Sequence, residues 1–554
     1  MTRPQTQIDE LANSYSQGIL DRSPESVTSL GLSGADESTF SDYSPVGLAE
    51  VADLQRSTLQ TLNSLEPVDD VDRVTIAAMR ERLGLELENY DAYEFGEINN
   101  IASPLQGITE VFDLMPTETQ ADWELVAQRL RNIPQALRGW QETLTLRVAH
   151  GPAHAKRQIN LAITEAHEVA GENSALKTLA QRGAQAFPHL AETLYEAATQ
   201  ARQAYGELSD FLTAEVAPHG SSRDAFGRER YDRQIRQFVG AHLDLDETYE
   251  WGVAELERII VEQQRIAHEL YGPGVSVAEA MNRLNNDPAR QLHGTQALQE
   301  WMQGISDQAL NDLADTHFDI PLPMKKIECK IAPSGTGAIY YTGPSDDFSR
   351  PGRMWWSVPA GTETFTTWQE KTTVYHEGVP GHHLQIGYTT YLKDQLNMWR
   401  RNFCWVSGHG EGWALYAEGL MRELGYMDEP GDYMGVLDAE RLRASRVVLD
   451  IGVHLEKPAP TQYQHISPTW NRDVAWQFLQ DNVAMERSFL LFELNRYLGW
   501  AGQAPAYKIG HRMWKQLRAQ AQQREGAAFD LKAWHTKALS LGSVGLDVLG
   551  EALA

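Results

Sequence analysis

TETQADWELVAQRLRNIPQALRGWQETLTLRVAH, residues 117–150, is dense in Ala, Leu, Glu, Gln and Arg, with apolar side chains recurring at intervals of three and four. That spacing gathers them on one face of a 3.6-residue helix, so the stretch reads as amphipathic helix and not as strand. Most of residues 1–230 has the same texture, without the fixed-period repeat of a solenoid. Packed helices are therefore expected here. The pattern resumes in LDETYEWGVAELERIIVEQQRIAHELYG, 245–272, which begins at an aspartate cap and stops at Gly272-Pro273-Gly274. Between the two lies APHGSSRDAFGRER, 217–230, whose mixture of Pro, Gly, Ser and charge marks a connection. A division near 235 gives an N-terminal helical half, 1–235, and a second helical half, 236–554.

The texture changes between 327 and 359. IECKIAPS, GAIYYTGPS and RMWWSVP are short β-branched or aromatic runs punctuated by Pro and Gly, and they predict a small three-stranded sheet. Such a sheet caps the core or offers a strand to an extended peptide; on the second reading Tyr340, Trp355 and Trp356 mark the strands that meet substrate.

At 554 residues, with 42% hydrophobic and 22% charged residues, the chain has the composition of a folded globular protein. No apolar run approaches the roughly 18 residues of a membrane span. The first twenty residues are polar and lack the apolar core of a secretory signal, which predicts a cytoplasmic protein. Two cysteines, Cys329 and Cys404, are too few for a disulfide framework or a thiolate metal site, so any metal must be held by histidine and carboxylate. With 48 Lys+Arg against 76 Asp+Glu, the formal charge of −28 repels phosphate backbones and argues against nucleic acid.

The chemistry concentrates in TTVYHEGVPGHHLQ, 372–385. His-Glu also occurs at His167-Glu168 and His268-Glu269, so the dipeptide alone says nothing; its company does. His382 and His383 follow His376-Glu377, and SGHGEGWALYAEGL, 407–420, adds Glu411 and Glu418. Two histidines and a glutamate with a position left open is the ligand set of a catalytic zinc ion. In a straight helix neither partner fits: His382 is turned about 120° from His376, and His383 is about 10 Å further along the axis. Pro380-Gly381 predicts a kink or bulge, and a distorted helix could bring His382 to the second ligand's place.

YHEGVPGHHLQ, GHGEGWALYAEGL, RLRASRVVLDIGVH and ELNRYLGWAGQAPAYKIG, in this order, resemble the bacterial domain of unknown function 885 family, whose hallmark is His-Glu-x-x-Pro-Gly-His. The resemblance covers roughly 320–525 by these motifs and the N-terminal half by its helical character. In that pattern the histidine directly after Pro-Gly recurs, which favours His382 as ligand and leaves His383 in reserve. The family in turn is similar to helical gluzincin peptidases such as thimet oligopeptidase, carboxypeptidase Taq and angiotensin-converting enzyme, although those carry the regular four-residue spacing. The similarity implies a mainly α protein, a large helical body in two halves around a deep channel, with the small sheet beside the active site. It also implies one zinc ion on His376, His382 and Glu411. Glu377 would be the general base, and short or flexible peptides the substrates. His454 and Tyr507 are the expected donors to the oxyanion, although residues so placed are more often packing residues. Glu418 is expected to orient a histidine or to be solvated. Arg446, with Arg443, Arg496 and Asp450, is expected in structural ion pairs, an arginine near the channel being able to hold a substrate carboxylate. Two other readings fit the same residues: a peptide-binding protein braced by a structural metal, and a metal hydrolase of a non-peptide amide or ester.

Overall fold

The helix Gln120–His150 begins at Thr119, whose hydroxyl accepts the Asp122 amide while the Asp122 carboxylate accepts the Thr119 amide. Its buried residues, among them Trp123, Val126, Leu130, Ile133, Leu137 and Leu144, form one stripe, packed along the helix Ala191–Phe211. The helix Leu245–Tyr271 starts where the Asp244 carboxylate accepts the amides of Asp246 and Glu247, and it stops at Gly272, whose φ of 91° favours glycine. The computed structural model describes residues 3–332 and 339–554; the end of the first predicted strand run and the start of the second, 333–338, lie outside them.

Buried side chains collect in two clusters. The smaller runs from Ile98 to Val216. The larger joins Ile8–Leu83 to side chains between Tyr231 and Leu553, and so draws on both sides of the expected division near 235. The segment 220–227 runs between them, where Arg157 pairs with Asp224 at 3.0 Å and the Gly227 amide donates to the His454 carbonyl at 2.9 Å. The mainly helical body with small sheets matches the sequence reading. No described helix is long and apolar enough to cross a membrane.

The strands are β1 (Gln291–His293), β2 (Ile327–Ile331), β3 (Ile339–Thr342), β4 (Gly352–Trp356) and β5 (Thr364–Thr366). β1 and β5 pair antiparallel, and β5 leads straight into the helix Thr367–Glu377. The other three form the sheet expected at 327–359, with β4 central, parallel to β2 and antiparallel to β3. Side chains of the helix Thr295–Leu313 cover the outer edge of β2: Gln299 Nε2 donates to the Cys329 carbonyl at 2.9 Å, and Gln303 Nε2 to that of Ile327 at 3.0 Å. Among the described residues β3 is the sheet's open edge. Cys329 and Cys404 are free and buried, and burial pushes their thiols up to about 11 and about 12, so both are inert packing residues.

One helix crossing sets where Glu411 and Tyr507 stand. The helices that carry them, Ser407–Glu423 and Gln503–Glu525, meet backbone to backbone at Gly408, Gly412 and Gly510. A Cβ on Gly510 would stand 1.9 Å from the Gly408 carbonyl oxygen, and one on Gly412 2.5 Å from the Gly510 carbonyl carbon. Gly510→Ala must therefore push the helices apart, and a loss of about 1–3 kcal/mol is expected in denaturant unfolding. Wild-type stability in that variant would show that the crossing does not depend on these glycines.

Candidate metal centre and active site

The helix Thr367–Glu377 ends at Gly378, and a new helix, His382–Tyr391, begins at Gly381 after a cis Val379–Pro380 bond. The expected kink is thus a full interruption. The Gly381 amide folds back to the Tyr375 carbonyl at 3.1 Å, and a Cβ there would lie 1.8 Å from the His376 carbonyl oxygen, so only glycine allows the turn. Trp413, fully buried on the helix Ser407–Glu423, donates its indole N–H to the carbonyls of Pro380 at 2.9 Å and Gly381 at 3.2 Å. The same helix carries Glu411 and Glu418, so a single element holds the turn and supplies both carboxylates.

The turn places the His382 ring perpendicular to that of His376, with centroids 4.9 Å apart. Glu411 Oε2 lies 3.3 Å from His376 Nε2 and 3.5 Å from His382 Nε2. Donor atoms of His376, Glu377 and His382 also lie within 4.8 Å of one another, and all three residues are buried. Glu377 and Glu411 thus both border the histidine nitrogens. The Glu411 separations match the edge of a tetrahedron with bonds of about 2.0–2.2 Å, about 3.3–3.6 Å, which favours Glu411 as the ligand. Behind His376, Glu418 Oε1 is 2.7 Å from Nδ1, and the other Glu418 oxygen accepts the Thr372 hydroxyl. A carboxylate on the far nitrogen fixes the tautomer and aim of a ligating imidazole, which is the orienting role expected of Glu418. His382 Nδ1 is buried and has no partner among the described residues. The donor set fits a zinc ion held by His376, His382 and Glu411.

The two carboxylates dominate the electrostatics of the cluster. Burial works against a charged His376, yet Glu411 and Glu418 outweigh it and raise the imidazole to about 10. Burial likewise opposes ionisation of Glu411, but hydrogen bonds from His376 and His382 hold its carboxyl far below the usual range. Burial raises the Glu377 carboxyl, and the neighbouring His382 and His376 oppose the rise.

The remaining expected residues divide. Tyr507, brought up by the glycine crossing, is lifted to about 12 by burial and by the nearby Glu411 charge, so its hydroxyl keeps its proton beside the site. His383 is turned away: Nδ1 meets the Tyr341 hydroxyl at 2.9 Å and Nε2 the Met324 carbonyl at 2.8 Å, tying the second helix to β3. Two successive residues on a helix point about 100° apart, so one ring joins the donor set and the other the sheet. His454 is not an oxyanion donor here. It stacks on Tyr231 at 5.4 Å, meets Phe226 edge-on at 4.9 Å and faces the Tyr497 carbonyl at 3.0 Å, inside an apolar pocket that lowers it to about 4. Arg446 is a structural cation: Nη2 donates to Glu493 at 2.8 Å and Nε to the Tyr497 hydroxyl at 2.7 Å. Of the substrate-strand residues, Tyr340 is exposed and stacks on the half-buried Trp355. Trp356 is packed in the core, because successive strand residues face opposite sides of a sheet.

Sequence reading missed Trp405. It is 46% exposed, its ring lies 6.3 Å from that of His382, and it rests on Gly410, where a Cβ would stand 2.2 Å from the indole. The Gly-x-Gly around Glu411 was its one trace in the sequence. A cavity of about 470 Å³ where the two clusters meet is lined by Arg147, His154, Phe226, Arg230 and Trp500 and by none of the donor residues. Chemistry, not cavity size, marks the site.

The bacterial family described as "bacterial protein of unknown function (DUF885)" matches residues 24–553. The chain belongs to that family. Two solved structures, each described as a putative lipoprotein, share its fold. The one from Colwellia psychrerythraea is 24% identical, with a TM-score of 0.82 over 99% of this chain and 98% of its own. The one from Shewanella oneidensis, described as of unknown function, is 16% identical, with a TM-score of 0.75 over 99% of each chain. No curated protein matches the chain.

The split between the two adjacent histidines is testable. His382→Ala should strip zinc from protein reconstituted with one equivalent, whereas His383→Ala should retain it and lose stability through the orphaned Tyr341 and Met324 groups, about 1–3 kcal/mol. Elemental analysis and thermal unfolding of both variants check this, and the reverse order of zinc loss would overturn the ligand assignment.

Proposed function

We propose that the protein is a zinc-dependent hydrolase of peptide bonds in short or flexible peptides. The reading rests on one observation: the buried Glu377 carboxylate borders the converging nitrogens of His376 and His382, with Glu411 completing the donor set. A purely structural zinc site prefers four protein ligands and has no use for a further carboxylate at its rim. The resemblance to helical gluzincin peptidases supports the same chemistry. When bound, zinc would lower the pKa of a coordinated water and polarise the scissile carbonyl.

The chain's own groups would do the rest. Glu377, raised by burial, accepts a proton from the attacking water and returns it to the leaving amine. Tyr507, kept protonated, donates a hydrogen bond to the developing oxyanion. The open edge of β3 pairs with the backbone of an extended peptide, and Tyr340, Trp355 and Trp405 offer apolar surface to its side chains. The donor residues His376, Glu377 and His382 are buried, so short or flexible chains are the substrates that would reach them. Two neighbours of the same fold are described as putative lipoproteins, and we propose the cell envelope as an alternative to the cytoplasmic location expected from the sequence.

Glu377→Gln separates an enzyme from a binding protein. The change keeps shape and leaves the donor set intact, so zinc content and peptide affinity should persist while the turnover rate falls by about 10²–10⁴-fold, the usual worth of a general base. Zinc analysis, calorimetry and mass-spectrometric digestion of a peptide library check this side by side. Equal turnover by zinc-replete wild type and variant would overturn the role of Glu377, and no turnover of any peptide by zinc-replete wild type would overturn the peptidase reading.

A further inference from the structure

The helix Pro430–His454 carries three arginines, and they are not equivalent. Arg446 and, from the helix Arg487–Gly499, Arg496 share the Glu493 carboxylate at 2.8 and 3.2 Å. Arg441 bonds to Gln263 and to Asn482. Arg443 has no carboxylate within 4.0 Å among the described residues; its one hydrogen bond runs from Nη1 to the Ala439 carbonyl four residues earlier. Half-buried guanidinium groups are normally matched to an anion, because a desolvated charge without a partner is destabilising.

Arg443 is not sealed in the core. It lines a cavity of about 310 Å³ with Thr373, Asp438, Leu442, Met485 and Phe489. Thr373 precedes Glu377 by one turn on the same helix face, so the cavity opens beside the proposed general base. Arg443 lies within electrostatic reach of the Glu377 carboxylate, which ties the same end of the cavity to the reacting centre. No acid of the cavity forms a direct ion pair with Arg443 among the described residues: Asp438, which feels the charges of both Arg441 and Arg443, accepts Gln369 Nε2 at 3.0 Å, and burial pushes Glu370 up to about 7. Leu442, Met485 and Phe489 give the remaining wall its apolar character.

We infer that Arg443 holds the free terminal carboxylate of the substrate, the apolar wall receiving the side chain of that last residue, so that the enzyme removes residues from carboxyl-terminal ends. In a peptide the terminal carboxylate is separated from the last peptide nitrogen by a single Cα, which matches a cation placed just beyond the group that protonates the leaving amine. This inference rests on the hydrolase reading for the bond broken, but the carboxylate subsite can be read by binding alone.

The experiment uses the full chain reconstituted with zinc and three versions of one hydrophobic peptide: free at both ends, amidated at the carboxyl end, and acetylated at the amino end. The free and acetylated forms should be cleaved alike at the last bond, and the amide roughly tenfold to hundredfold more slowly in kcat/KM, the scale of one charge-assisted pair. In Arg443→Gln and Arg443→Lys the acid-to-amide ratio should collapse toward one in the first and stay above one in the second; being a ratio within each variant, it is insensitive to partial misfolding. Calorimetry with Glu377→Gln protein, alone and combined with Arg443→Gln, reads the same preference without turnover. If no peptide is cleaved but the acid binds better than the amide and Arg443→Gln removes the difference, the hydrolase reading fails and the subsite stands. A preference for the free acid that survives Arg443→Gln, equal handling of acid and amide by the wild type, or loss of cleavage on acetylation would each overturn the inference.

Discussion

A buried imidazole clamped between two carboxylates is the interaction on which this structure turns. His376 faces Glu418 on one side and Glu411 on the other; His376 and Glu418 are buried and Glu411 is partly exposed. Ionisable groups so placed are stable only if each has its counterpart, since the desolvation of any one would otherwise dominate. Both carboxylates come from one helix, the histidine from another, and the two must keep their spacing to within a few tenths of an ångström. The rigid surroundings answer that requirement: a fully buried Trp413 beside Glu411, and glycine contacts that leave no room between the helices behind it.

The interrupted motif helix solves the same problem along the chain. A continuous helix cannot turn His376 and His382 to a common point, and adding one residue of spacing would trade angle for distance. Ending one helix and starting another lets each histidine be aimed separately, the first by Glu418 and the second by the turn that Trp413 holds. Pro380 and Gly381 are what this geometry requires, one without an amide to satisfy and one without a Cβ to clash.

What could be read in advance depended on how local the cause was. Helices, their aspartate and glycine ends, the three-stranded sheet and the company of His376 with Glu411 come from spacing and residue type within a few dozen residues. The partner of each histidine did not, because the choice between His382 and His383 is made by Met324 and Tyr341, whose approach depends on the whole fold. His454 was misjudged for a similar reason: a histidine at the end of a long helix looks available until Phe226 and Tyr231, more than two hundred residues earlier in sequence, close over it. Trp356 fell to a simpler rule, since alternation along a strand allows only one of two adjacent tryptophans to face outward.

The neighbouring rings of His382 and His383 give the molecule a reciprocal coupling. One belongs to the donor set, the other is tethered to Tyr341 on the open strand β3, and a single peptide unit joins them. Whatever stiffens β3 therefore narrows the range of positions open to His382, and whatever fixes His382 steadies the strand edge. Linkage makes the two effects equal in free energy. A cation at one end and an extended backbone at the other would each raise the affinity for the other without touching it, so that the molecule is most ordered when both are present.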